Sequence, residues 1–189
     1  MRVIGAVGRN GSGKDEVIRH IHYRYGAPLL SSGDVVREIA AGEGLEPTRA
    51  NLQAISKRYF RRFGRGYFMR LIAERIRRNG WDLAAISGIR SLEDVAILED
   101  AFGEDFILLH VYVSDPHARY ARMLDRAEER DPHTYEQFIR QDEAEERLFH
   151  ISEACARADY SLTNDGTLSD LHRALDGLIS EEGLLAHRQ

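Results

Sequence analysis

Gly8-Arg9-Asn10-Gly11-Ser12-Gly13-Lys14 has the residue types and the spacing to hold an anion. The stretch follows an apolar run, Val3 to Val7, and precedes Val17, Ile18 and Ile21, which are spaced for one face of a helix. Strand, glycine-rich loop, lysine and helix is the layout of a phosphate-binding loop. Its glycines let successive backbone N–H groups turn inward around a phosphate. The helix N-terminus adds partial positive charge, and the lysine ammonium reaches the outer phosphates. The chain has 24 arginines and 2 lysines, so Lys14 stands where a compact ammonium, not a planar fork, is required. Asp15 follows it, where a Ser or Thr hydroxyl would normally touch Mg²⁺. That departure, and the lack of an Asn-Lys-x-Asp base-reading motif, argue against motor ATPases and switch GTPases.

Other polar clusters recur just after short apolar runs. Ser31-Ser32-Gly33-Asp34, leading to Arg37, follows Ala27–Leu30, and Ser87-Gly88-Ile89-Arg90 follows Leu83–Ile86. Ser114-Asp115-Pro116, then Arg119, Arg122 and Arg126, follow Ile107–Val113, and Asn164-Asp165-Gly166-Thr167 follows Tyr160–Thr163. Helical patterns lie between these runs, and another spans Leu168 to Ile179. Strands alternating with helices predict an α/β fold with a parallel sheet covered on both faces. Ligands on such sheets bind at the carboxyl ends of strands, where these clusters fall. The long interval between the second and third runs reads as a helical insertion.

The clusters resemble those of P-loop kinases that act on nucleotides and related small molecules. Ser31-Ser32-Gly33-Asp34-Val35-Val36-Arg37 is similar to the adenylate-kinase motif whose arginine grips the acceptor phosphate. Gly88-Ile89-Arg90 is similar to that family's second acceptor arginine. Tyr120-Ala121-Arg122-Met123-Leu124, then Arg126, resembles the entry to the mobile lid, where one arginine packs on adenine and the next meets the transferring phosphates. Ala158-Asp159-Tyr160 through Gly166-Thr167-Leu168 resembles dephospho-CoA kinase, in which the loop after the last strand lies beside adenine. The resemblance implies a three-layer P-loop kinase fold with a five-stranded parallel sheet in one domain. It also implies a helical acceptor-binding subdomain within 33–80 and a lid within 127–147.

On this reading Gly8, Asn10, Gly11, Ser12, Gly13, Lys14, Asp15, Arg122, Asn164 and Gly166 hold ATP, and Ser32, Gly33, Asp34, Arg37 and Arg90 hold the acceptor. Phosphoryl transfer brings two anions in line and neutralises their charge. Arg37 and Arg90 can each make forked bonds to a phosphate. Arg122, Arg126, Arg130 and Arg140 could close over the triphosphate and exclude water. Asp15 and Ser87 are expected to flank one Mg²⁺ shell, because related kinases often carry an aspartate where Ser87 stands. Asp34 is expected to cap the following helix or position the metal through water, in preference to accepting the acceptor's proton, since a phosphate acceptor is already ionised. Ser91-Leu92-Glu93-Asp94 reads as a capping box.

A chain of 189 residues suits one domain. No apolar run reaches membrane-spanning length, the start lacks a secretion signal, and a single cysteine, Cys155, fits a reducing cytoplasm. The net charge of −5 is uneven: Lys57–Arg78 carries +8, leaving −13 elsewhere. Tyr59, Phe60, Phe63, Tyr67 and Phe68 interleave with that basic segment, which predicts an amphipathic helix pair with aromatics inward and arginines solvated. Glu128–Glu146 is the reverse, eight acids to two arginines, and reads as a solvated helical lid or as a partner of the basic segment on closure. The sequence thus favours an ATP- and Mg²⁺-dependent kinase acting on a nucleoside or deoxynucleoside monophosphate. The alternatives are a dephospho-CoA kinase and, from another class, an ATP-dependent nucleic-acid-binding protein. A small-molecule acceptor is the expected partner, nucleic acid is not favoured, and the oligomeric state is not given by the sequence.

Overall fold

The computed structural model describes residues 1–126 and 131–185. Arg130 and the 127–130 part of the expected lid lie outside the described residues. Five strands, β1 (Arg2–Val7), β2 (Leu29–Ser31), β3 (Leu83–Ser87), β4 (Phe106–Tyr112) and β5 (Tyr160–Thr163), form one sheet in the order β2-β3-β1-β4-β5. Every pairing is parallel, with Val3 opposite both Ala84 and Phe106. β1 is buried along its whole length, which is why it reads as a continuous apolar run and not as an alternating one.

Alternation along β1 sends Val3 and Val7 to one face and Ile4 and Ala6 to the other. On the second face lie α1 (Lys14–Tyr25) and α9 (Leu168–Glu181), packing Val17, Ile18, Ile21, Leu171 and Leu175 against the sheet. On the first lie α2 (Ser32–Gly42), α3 (Arg49–Phe63), α4 (Tyr67–Asn79), α5 (Leu92–Phe102) and α8 (Ile151–Cys155). α6 (Pro116–Arg126) and α7 (Tyr135–Phe149) sit above the carboxyl ends of β1 and β4. The three-layer α/β fold expected from the sequence is therefore the fold observed.

The interval between β2 and β3 holds α2, α3 and α4, as expected of a helical insertion. In α3 and α4 the rings of Tyr59, Phe63, Tyr67 and Phe68 pack on one another, while the exposed Arg58 pairs with Glu43 and Arg75 pairs with Glu38. The basic, aromatic stretch is thus a helix pair with Tyr59, Phe60, Tyr67 and Phe68 packed against the core and Phe63 exposed at its end. Among the described residues no helix is long and apolar enough to cross a membrane.

Candidate active site

Most helix starts here are closed by their own side chains. Ser31, Thr48, Ser91, Thr134 and Thr167 each accept from a backbone N–H of the following turn, and Ser91–Asp94 and Thr167–Asp170 are full capping boxes. α1 differs. It starts after Gly13, and no side chain caps it, so its first N–H groups are open to an anion. Gly13 has φ 95, a left-handed value, and a Cβ there would collide with Asn164 Nδ2. Asn164 Nδ2 in turn donates to the Ser12 carbonyl at 2.8 Å, so the loop after β5 fixes the phosphate loop from behind. Gly8 packs on the Val111 carbonyl and Gly11 on Arg119, which holds the loop against β4 and α6. Ser12 Oγ and Arg122 Nη1 are buried with no hydrogen-bond partner among the described residues. Unsatisfied polar atoms and an uncapped helix around one loop fit a phosphate-bearing ligand.

Lys14 is 9% exposed, and burial lowers its pKa. Asp15 and Glu145 pull it back up, and Arg90 and Arg126 push it further down, so all four charges act on the ammonium. Asp15 accepts from Ser87 Oγ at 2.5 Å. Burial would raise the Asp15 pKa, but Lys14, the Ser87 bond and Arg90 outweigh it, and the carboxyl sits below its usual range. The structure therefore brings Asp15 and Ser87 together beside Lys14. A carboxylate and a hydroxyl are hard oxygen donors suited to Mg²⁺. Among the described residues no group of three or more His, Cys, Asp or Glu could hold a metal ion, so nucleotide oxygens and water must complete any such shell.

The residues expected on the acceptor side follow β2 and β3 at the same carboxyl edge of the sheet. Ser32 Oγ donates to the Gly88 carbonyl at 3.3 Å, and Gly88, at φ 84, has no room for a Cβ beside that hydroxyl. Arg37, about half exposed, folds across Gly33 onto Asp34 Oδ1 at 2.5 Å. The helix cap here is Ser31, not Asp34. Asp34 lies in the first turn and accepts from Ser31 Oγ at 2.6 Å. Arg90, two residues beyond Gly88, acts on Lys14 and Asp15, and its guanidinium lies 5.9 Å from the Phe149 ring centroid.

The lid-side residues divide. Arg122 Nη2 donates to the Asn164 carbonyl at 2.8 Å, so these two expected adenine-side residues are neighbours. Arg126 reaches Lys14 electrostatically and pairs with buried Asp131. Gly166 lies in the exposed turn ahead of α9, packed on Asp170. Arg140 does not join the others: it is 69% exposed and pairs with Glu136 along the outer face of α7.

The inner face of α7 carries what sequence reasoning missed. Arg119 Nη1 and Nη2 bond Asp142 at 2.8 and 2.9 Å, and Arg119 Nη1 also donates to the Asn10 carbonyl at 3.1 Å. Arg9 donates to Asp142 at 2.7 Å and to Glu146 at 2.9 Å, and Asn10 Nδ2 donates to Glu145 at 2.8 Å. Three carboxylates of the acidic segment, Asp142, Glu145 and Glu146, thus dock on the phosphate loop and Arg119, while Glu136 and Glu143 stay exposed on the outer face of α7. Burial of Asp142 opposes its ionisation, but Arg119 and Arg9 hold its carboxyl below the usual range. An Arg three residues ahead of Arg122, followed by acids one helical turn apart, was the available signal.

An AAA-domain family model matches residues 7–139. The UPF0200 protein TK1334 of Thermococcus kodakarensis is 33% identical over 181 residues, covering 95% of this chain and 97% of that protein. Shikimate kinase from Acinetobacter baumannii superposes with a TM-score of 0.59 at 17% identity, over 96% of this chain and 94% of that one. A gluconokinase from Sinorhizobium meliloti superposes at 0.57 and 15% identity, over 98% of both chains. With the strand order, the uncapped α1 and the lysine-bearing loop, these likenesses place the chain in the UPF0200 family, a member of the AAA-domain P-loop proteins with a P-loop kinase fold.

Proposed function

We propose that this protein is an ATP-dependent phosphotransferase that moves the γ-phosphoryl group to the phosphate of a nucleoside or deoxynucleoside monophosphate. The observation that supports the reading is Arg90 within electrostatic reach of Lys14 and Asp15 at the open start of α1, on the loop whose Gly88 carbonyl accepts from Ser32. An acceptor phosphate oxygen attacks the γ-phosphorus in line, the bond to the β–γ bridging oxygen breaks, and ADP leaves with that electron pair. Lys14 and the loop amides take up the charge on the β- and γ-oxygens, and Arg90 and Arg126 face the same charge from the rim. Asp15 and Ser87 are the residues that would hold Mg²⁺, which neutralises phosphate charge when bound with the nucleotide. Arg122 and Asn164 line the side where the base would lie.

A hydroxyl acceptor, as in dephospho-CoA, is the second reading. One observation favours it: Arg37 is turned onto Asp34, and Asp34 stays ionised because its bonds to Ser31 and Arg37 outweigh burial. An ionised carboxylate at that place can accept a hydroxyl proton. γ-Labelled ATP with Mg²⁺ and a panel of ribo- and deoxynucleoside monophosphates plus dephospho-CoA tests both. Label transferred to a monophosphate supports the first reading, transfer to dephospho-CoA supports the second, and no transfer to any of them overturns both.

A further inference from the structure

Three carboxylates of α7 lie over the phosphate loop, and they are not equivalent. Asp142 is neutralised by Arg9 and Arg119, and Glu146 by Arg9. Glu145 is held instead by a neutral group, the Asn10 amide, at 2.8 Å. It is half-buried, and Lys14 feels its charge. A carboxylate without a guanidinium counter-ion among the described residues thus faces the cradle where an anion is to bind. That charge weakens every polyphosphate, but not equally.

We propose that Glu145 makes the phosphate loop select the metal-complexed nucleotide over the free nucleotide. The inference rests on the nucleotide-binding reading above. A free nucleoside triphosphate brings about four negative charges at neutral pH, and a divalent cation cancels about two of them. Coulomb repulsion from one fixed carboxylate scales with that net charge, so the free form is penalised about twice as strongly. Glu145 is suited to the task because its bond to Asn10 fixes it at the loop without neutralising it. Selection of this kind acts by repelling the unwanted form.

The test is titration calorimetry of the full chain with ATP, once in EDTA and once in excess Mg²⁺, on wild type and Glu145→Gln. A glutamine keeps an oxygen for Asn10 Nδ2 to donate to and removes the charge. Wild type is expected to bind the magnesium complex about tenfold more tightly than free ATP or better. Glu145→Gln should tighten free ATP by about tenfold and the magnesium complex by at most about threefold, with the gain shrinking as salt is raised. A variant whose ratio of affinities equals that of wild type, or which weakens both forms alike, overturns the proposal. So does wild-type protein that holds free ATP as tightly as the complex, a result that needs no variant. Wild-type protein that binds neither form refutes the nucleotide-binding reading itself, and this inference falls with it.

Discussion

Asp142→Ala strands a guanidinium. The Arg119 side chain is 7% exposed and that of Asp142 is 12% exposed, so the pair is nearly out of water. Removing one partner of a buried ion pair costs about 3–5 kcal/mol, because the remaining charge is left without compensation. Two contacts survive the change: Arg119 keeps its bond to the Asn10 carbonyl and its place 4.9 Å from the Phe138 ring centroid. Arg9 likewise retains Glu146. The expected loss is therefore at the lower end, about 3 kcal/mol, or about 6–12 °C in Tm for a chain of this size. Urea unfolding of wild type, Asp142→Ala, Arg119→Ala and the double variant measures it. The double variant strands no charge, so it should be more stable than the sum of the singles predicts by about 2 kcal/mol. The pH profile carries the same signature. Since the folded-state pKa of Asp142 is depressed, its contribution is present above the unfolded value near ~3.9 and disappears as pH falls through the lower folded value. An Asp142→Ala loss below about 1 kcal/mol, or strict additivity in the cycle, would refute the claim that this pair locks α7 to the phosphate loop.

Further outcomes are expected at the site. Arg90→Ala and Arg37→Ala should raise the acceptor KM by about tenfold or more while ATP affinity stays within about threefold, measured by initial rates and by nucleotide titration; equal loss of ATP affinity in both contradicts the division between donor and acceptor sides. Because Ser87 and Asp15 share a hydrogen bond, the exchange Asp15→Ser with Ser87→Asp should recover more activity than either single change, and two silent singles would show that the pair does not matter. Burial pushes the Cys155 thiol up to about 11, so its alkylation by iodoacetamide should be slow at neutral pH and quicken by about tenfold per pH unit up to that value. Rapid alkylation at pH 7 would mean that Cys155 is not packed against the core of the first face.

The strands were legible because four of the five carry mainly apolar residues over their buried length, and each ends in a polar cluster with its own chemistry. The read bounds, Val3–Val7 and Ile107–Val113, differ from Arg2–Val7 and Phe106–Tyr112 by one residue. β2 starts at Leu29 and not at Ala27, since Pro28 has no N–H to donate and enters the ladder only through its carbonyl, which accepts from Ala85. The phosphate loop was legible because glycine and lysine spacing is itself the chemistry. The contacts between α7 and that loop were not. Asp142, Glu145 and Glu146 look like a solvated helical face, and their partners Arg9 and Asn10 lie more than 130 residues away. Only the closed arrangement of β1, β4 and α6 brings them together. Arg140 shows the converse: an arginine in the right segment but on the wrong side of the helix, where Glu136 one turn away satisfies it.

The central claim is that the uncapped start of α1 and Lys14 form a cradle for nucleotide phosphates. Titration of Mg²⁺-ATP into wild type and Lys14→Met tests it directly. The account predicts saturable binding by wild type and a loss of about a hundredfold or more in the variant, with its fold intact by circular dichroism. No binding by the wild type, or equal affinity in the two proteins, would contradict it.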